Sequence, residues 1–181
     1  MRIGLIADPQ FHNWTGFGKD PVTGISKRLL EQVANFREAL QVFRDKKVAL
    51  IIICGDLVHG VGSESNVVLN HIRQLLKESP APVYFVVGNH DTPVRINPLP
   101  EHIITNLFKD DSVKLPDNIC VVDYTSPDED LNQIKGYDLV VLHKTPTGAE
   151  SNDHIFLDEI NWRKLASQNK FVSFGHIHEM Q

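Results

Sequence analysis

Five short apolar segments, each followed by a polar residue of the same few types, most constrain how this chain can fold. The segments cover residues 3–7, 48–54, 83–87, 139–142 and 171–174. Continuous apolar runs of this length are typical of strands that are covered on both faces. We therefore predict a core built on buried strands.

Segments with helical periodicity alternate with these strands. Residues 26–46 repeat apolar side chains at helical spacing, with Ser26 as the predicted N-cap, and residues 64–77 repeat the pattern. Further helices are predicted at 99–108 and 158–168. This alternation predicts an α/β fold, and 181 residues with 41% hydrophobic side chains suffice for one domain, expected to span residues 1–181.

The residues after the five strands repeat one chemical theme. The first strand ends at Asp8, the second runs into "GDLVH" (55–59), the third into "GNHD" (88–91), the fourth into His143 and the fifth into "GHIH" (175–178). Strands that deliver Asp, Asn and His to one edge of a sheet gather oxygen and imidazole ligands there. The glycines allow the sharp turns that such an edge requires. The pattern predicts a metal site.

The order of these motifs resembles that of the calcineurin-like metallophosphoesterases, from Asp8 to His178. The resemblance implies a layered βαβαβ sandwich, with two mixed sheets flanked by helices and metal ions at their carboxyl edges. Such domains usually continue beyond the last motif, so we expect C-terminal strands to be missing from these residues. Within the superfamily, His59, the "HNW" segment (12–14) and "GISKRLLEQ" (24–32) resemble SbcD-type DNA exonuclease subunits, including phage-encoded relatives.

The resemblance implies two divalent ions, Mn²⁺ first and Fe²⁺, Zn²⁺ or Mg²⁺ as alternatives. The implied ligands are Asp56, which bridges both ions, then Asn89, His143 and His176 at one site, and Asp8, Gln10 and His178 at the other. Gln10 stands where the family usually has histidine, and its neutral amide oxygen is a weaker ligand than imidazole for most of these ions. We expect that site to load poorly. His12 is either a compensating ligand or a substrate-facing or core histidine.

Three further residues carry implied catalytic roles. In the family the histidine of "GNH" lies beside the leaving group, so His90 is the expected proton donor, with Asp91 orienting its imidazole. His59 resembles a histidine that positions the phosphate, although it could also be the polar end of a strand loop. The implied reaction is phosphoester hydrolysis by a two-metal-activated hydroxide.

Composition narrows the location and the mode of substrate binding. The net charge of −5 argues against binding nucleic acid through bulk electrostatics. Cys54 and Cys120 lie in or beside apolar runs, which favours buried reduced thiols and a cytoplasmic location. No apolar stretch in the sequence reaches membrane-spanning length.

The sequence therefore predicts an enzyme, a metal-dependent DNA nuclease that acts as a 3′ exonuclease and single-strand endonuclease. The alternatives are a small-molecule phosphodiesterase, a phosphoprotein phosphatase, or a metal-binding module with weakened catalysis. DNA is the expected partner. A homodimer through residues 67–76 is weighed against the stronger alternative that this helix packs on its own sheet. An SMC-like ATPase partner is not expected, because we recognise no capping domain and no ATPase-binding segment.

Overall fold

The computed structural model describes residues 1–60, 65–91, 105–106, 115, 118–122, 124, 131, 133–146, 150–151, 154–155 and 161–176. The strands in these residues are β1 (Ile3–Ile6), β2 (Leu50–Cys54), β3 (Val83–Val86), β4 (Thr105–Asn106), β5 (Ile119–Val122), β6 (Leu139–His143), β7 (Glu150–Ser151), β8 (His154–Ile155) and β9 (Val172–Gly175). The helices are α1 (Lys27–Asp45), α2 (Asn66–Lys77) and α3 (Trp162–Gln168).

The strands form two large parallel sheets. One has the order β1-β2-β3-β4 and the other the order β5-β6-β9, while β7 and β8 make a separate antiparallel pair. The layered α/β fold is thus confirmed. The expectation of mixed sheets was wrong for the described strands, because every pairing within the two large sheets is parallel. The sequence prediction also missed β5.

Alternation along the buried strands explains the layers. Ile51 and Ile53 of β2 pack with α1 and α2, whereas Ile52 and Cys54 face β6 of the second sheet. On the far side of that sheet, Leu165 of α3 packs against Val140 and Leu142. The described elements are therefore layered as helices, sheet, sheet and helix.

Helix boundaries follow local capping chemistry. Ser26 precedes α1 as predicted, but its side chain makes no capping hydrogen bond. Ser65 caps α2 by accepting from the Val68 N–H, and Asn161 caps α3. The predicted starts at residues 64 and 158 lie outside the described residues.

The helix predicted at residues 99–108 was wrong where the structure describes it. Thr105 and Asn106 form β4, which pairs in parallel with Tyr84 and Phe85 of β3. Pairing with the edge of β3 satisfies the backbone of this segment and overrides its local helical pattern. The other residues of the predicted helix lie outside the described part.

The apolar face of α2 is buried against its own sheet. Val68, Leu69, Ile72, Leu75 and Leu76 all lie in the core between α1, α2 and the first sheet. Burial on its own sheet is therefore what the structure shows for this face, and the homodimer remains an untested prediction. None of the described helices has the length and hydropathy needed to cross a membrane.

Candidate metal centre

The carboxyl edges of the two sheets bring the sequence motifs together. Asp56 follows β2, His143 ends β6 and His176 follows β9. One potential ligand atom from each of these three residues lies within 4.8 Å of the others. Residues from the two sheets, which are far apart in the sequence, thus meet in one cluster of a carboxylate and two imidazoles.

His143 has the hydrogen bonding expected of a metal-binding histidine. Its Nδ1 lies 2.9 Å from the carbonyl oxygen of Cys54, so this nitrogen carries the donated proton. Its Nε2 lies 3.1 Å from Asn89 Oδ1 and 3.4 Å from Asp56 Oδ1. Three electron-rich atoms that converge in this way require a cation between them, either a proton or a metal ion.

The charges of this cluster stabilise each other. Burial by itself lowers the pKa of His143, but the hydrogen bond and charge of Asp56, with the Cys54 carbonyl, raise the pKa above the ordinary histidine value. For Asp56, burial raises the pKa, yet the bonds and charges of His143 and His90 hold it below the usual aspartate value. Asp56 is therefore ionised at neutral pH and suited to hold a cation.

Glycine permits the close approach of these side chains. A Cβ atom on Gly55, whose φ is +82°, would overlap the ring of His143, and one on Gly88 would overlap Asp56. The left-handed backbone is also adopted by non-glycine residues here, with φ of 48° at Asp8, 47° at Asp56 and 107° at His176. Strained conformations of this kind are held by their surroundings and cluster at functional sites.

Asp8 joins the two sheets rather than pointing freely into the cluster. Both of its carboxylate oxygens lie 3.0 Å from the backbone N–H of His176. Its Oδ1 is also 3.9 Å from His143 Nδ1. Asp8 thus adds negative charge beside the cluster while it fixes the turn after β9.

Gln10 is buried and bonded through both ends of its amide. Its oxygen lies 2.8 Å from His59 Nδ1, and its nitrogen donates to Asp56 Oδ2 at 3.4 Å. Its backbone is held as well, because Gln10 N–H donates to the Asp56 carbonyl and Gln32 donates to the Gln10 carbonyl. The amide therefore links His59 to Asp56.

A row of rings runs from the cluster to the surface. His90 stacks on His59 with centroids 5.5 Å apart, His59 lies 4.3 Å from Trp14, and Trp14 lies 5.8 Å from Phe17. His12 packs against this row, with centroids 4.7 Å from Trp14 and 5.7 Å from His59. His12 is not part of the three-residue ligand group found among the described residues.

The "GNHD" turn is held by Asp91. The carboxylate of Asp91 accepts hydrogen bonds from Gly88 N–H at 2.9 Å and Val58 N–H at 3.2 Å. Burial raises the pKa of Asp91 to about 7, against the lowering effect of these two bonds. The backbone N–H of His90 donates to Asp56, and the His90 Nε2 lies 3.9 Å from Asp56 Oδ2. The two hydrogen bonds of the Asp91 carboxylate therefore stabilise the conformation of the turn.

Tyr124 is a site residue that the sequence prediction missed. Its ring lies 5.6 Å from that of His176, and its N–H donates to the carbonyl of Val87. The available signal was its position two residues after the apolar run of β5, by analogy with the other strands. His178 lies outside the described residues, so its predicted ligation stays a prediction.

The donor atoms at Asp56, Asn89, His143 and His176 suit a divalent metal ion. They combine an ionised carboxylate, an amide oxygen and imidazole nitrogens, which is a set used for Mn²⁺, Fe²⁺ and Zn²⁺. The family model of the calcineurin-like phosphoesterases matches residues 1–180. The chain belongs to the calcineurin-like phosphoesterase family. The divalent-metal chemistry of this phosphoesterase family thus agrees with the donor set.

Two other comparisons were made, with curated proteins and with solved structures. None of the curated proteins searched matches this phosphoesterase significantly. Among solved structures, it is similar to a chain described as a novel archaeal phosphodiesterase, with 18% sequence identity and a TM-score of 0.46. The similarity covers 87% of this chain and 82% of that chain.

Proposed function

We propose that this metallophosphoesterase hydrolyses DNA phosphodiester bonds, as a 3′ exonuclease and a single-strand endonuclease. The observation that carries the proposal is the row of rings formed by His90, His59, Trp14 and Phe17 beside the metal cluster. Aromatic side chains in series are how proteins hold successive bases of a single strand without reading sequence.

Exposure along the row fits a strand that enters from solvent. The side chain of His90 is 36% exposed next to the buried Asp56, and Phe17 is 53% exposed at the outer end. Because the net charge is −5, stacking has to supply much of the affinity that a basic groove supplies in other nucleases. We therefore expect a preference for single-stranded or frayed ends over intact duplex.

The residues of the cluster have distinct tasks in this reaction. Bound divalent metal, with Mn²⁺ expected to serve best, would neutralise phosphate oxygens and lower the pKa of water. Asp56, Asn89, His143 and His176 hold the cation, and the Cys54 carbonyl keeps the ligating face of His143 turned toward it. His90 Nε2 lies 3.9 Å from Asp56 Oδ2, and we expect His90 to give a proton to the departing oxygen.

The first test compares substrates under one set of conditions. End-labelled single-stranded and duplex DNA, bis(p-nitrophenyl) phosphate and a phosphopeptide are each incubated with Mn²⁺, with a chelator, and with Asp56→Asn and His90→Ala variants. DNA cleavage that needs metal and both residues supports the nuclease. Hydrolysis of the small diester or the phosphopeptide without DNA cleavage would establish one of the alternative phosphoesterases, and no hydrolysis at all would favour a non-catalytic module.

A tryptophan pair tests the row of rings. Trp14→Ala removes a ring from the row, whereas Trp162→Ala removes an exposed ring at the start of α3. Stacking is worth about 1–3 kcal/mol per base, so Trp14→Ala should raise KM for single-stranded DNA by about five- to 150-fold. Trp162→Ala should leave KM unchanged. Equal effects of the two variants would contradict base stacking.

We also propose a cytoplasmic location for the protein. The two free cysteines, Cys54 and Cys120, support this location, because reduced thiols are typical of the cytoplasm.

A further inference from the structure

We infer that this chain holds a single divalent ion and that Gln10 is the residue responsible. The inference concerns the metal site of the proposed function and rests on it. Gln10 stands at a position where the resemblance implies a ligand of a second ion. Its amide is instead committed to two neighbouring side chains, His59 and Asp56.

The orientation of the Gln10 amide follows from the nature of its partners. An ionised carboxylate only accepts hydrogen bonds, so the amide must turn its N–H group toward Asp56 Oδ2. Its oxygen then faces His59 Nδ1 at 2.8 Å, and this nitrogen must carry a proton. The bond therefore fixes the tautomer of His59, which leaves Nε2 as its acceptor nitrogen.

This orientation opposes a second cation. The N–H group of Gln10 points at Asp56 Oδ2, the oxygen that a second, bridged ion would have to share. To become a ligand, the amide would have to reverse, which would break its bond to Asp56 and would require His59 to change tautomer so that Nδ1 accepts from the amide NH2 group. Gln10 is only 8% exposed, so this rearrangement would have to take place within a packed site.

The other half of the cluster carries no such obstacle. His143 Nε2, Asn89 Oδ1 and Asp56 Oδ1 converge within 3.4 Å of the histidine nitrogen, and His176 lies alongside. Asp8, the other described residue of the implied second site, has both oxygens on the His176 N–H. One ion at the first group would replace only the contacts of His143 Nε2 with Asn89 and Asp56, and it leaves the bond from His143 Nδ1 to the Cys54 carbonyl intact.

Ion stoichiometry tests the inference without reference to catalysis. Wild type, Gln10→His, Gln10→Glu and Gln10→Leu are dialysed against Mn²⁺ and the bound metal is measured by mass spectrometry, with electron paramagnetic resonance to detect coupled ion pairs. We expect one uncoupled ion per chain in wild type and in Gln10→Leu. Two ions are expected in Gln10→His and Gln10→Glu, because both variants remove the opposing N–H and add a stronger ligand.

Two controls keep the result interpretable. Gln41→His adds a histidine on the exposed side of α1 and should still give one ion. In ¹⁵N-labelled protein, the His59 tautomer should stay protonated at Nδ1 in Gln10→Glu, which keeps the accepting oxygen, and lose this restriction in Gln10→Leu.

The outcomes separate this inference from the proposed function. Two ions in wild type, or one ion in a folded Gln10→His variant, would overturn the inference and leave the metal-dependent phosphoesterase intact. No stoichiometric ion in wild type would overturn both. A wild type with one ion that cleaves no DNA would overturn only the nuclease proposal.

Discussion

The two halves of the site use similar residues in opposite ways. In the ion-facing half, formed by Asp56, Asn89, His143 and His176, acceptor atoms point at each other and the surrounding backbone holds them there. In the Gln10 half, formed by Asp8, Gln10 and His59, the polar atoms are bonded to each other and to backbone. Position at a strand end therefore brings a side chain to the site, but its local partners decide whether it can bind a ligand.

The largest effect expected is from Asp56→Asn, which removes the only carboxylate of the ion-facing half. Loss of this charge should lower ion affinity and phosphodiester hydrolysis at least about 100-fold, since even residues that only support a ligand are worth 10- to 100-fold. The matched control is Asp138→Asn, because Asp138 is exposed and pairs with Lys170. Equilibrium dialysis measures the ion affinity and steady-state kinetics measures the hydrolysis. An Asp56→Asn variant with normal ion content would show that the ion-facing half does not bind the ion.

Gly55→Ala should disturb the ion-facing half through sterics alone. The new Cβ would overlap the ring of His143 and would also sit at a φ of +82°. The combined cost is about 2–5 kcal/mol in the free energy of unfolding. Gly136→Ala has the same φ with no atom within 4 Å, so it should cost only about 1–2 kcal/mol. Urea denaturation measures both, and equal losses would show that His143 can move aside.

Metal removal should lower stability only when the ion-facing half is intact. A ligand at 100 times its dissociation constant stabilises the folded state by about 2.7 kcal/mol. At about 2–4 °C for each kcal/mol, chelation should lower the Tm by about 5–11 °C. Asp56→Asn should show no shift with chelator. A shift of the same size in that variant would place the stabilising ion elsewhere.

The smallest effect concerns the thiol beneath the ion-facing half. Burial and the charge of Asp8 raise the pKa of Cys54 to about 12, so at pH 8 only about one thiol in ten thousand is ionised. Iodoacetamide should leave Cys54 unmodified in the native protein and modify it in denaturant, as read by peptide mass spectrometry. Rapid native modification would mean that the two sheets separate readily at this edge.

The sequence predicted which residues meet at the site better than it predicted the hydrogen bonds between their side chains. The boundaries of five strands were predicted to within about two residues, because buried strands are recognisable as apolar runs. Parallel pairing of β6 with β9 accounts for the meeting of His143 and His176, and the packing of β2 on β6 brings Asp56 to them. The Gln10 to His59 bond could not be predicted, because it depends on the orientations of two side chains that are 49 residues apart in the sequence.

Two further differences concern β5 and Asp91. β5 is an apolar run of four residues, as long as β1, β3 and β9, so its pattern was present in the sequence but was not assigned to a strand. Asp91 was predicted to orient His90, whereas the bonds described for its carboxylate go to the backbone of Gly88 and Val58. A buried carboxylate within a turn first satisfies the N–H groups that the turn exposes, and no sequence pattern reveals which groups those are.

The ion-facing half draws its members from both sheets, Asp56 and Asn89 from the first and His143 and His176 from the second. An ion held there couples the two layers, so neither sheet can detach without releasing it. In a cell with scarce metal, the layers would part more often and expose chain to proteases. The abundance of this protein, and not only its activity, should therefore follow the supply of metal.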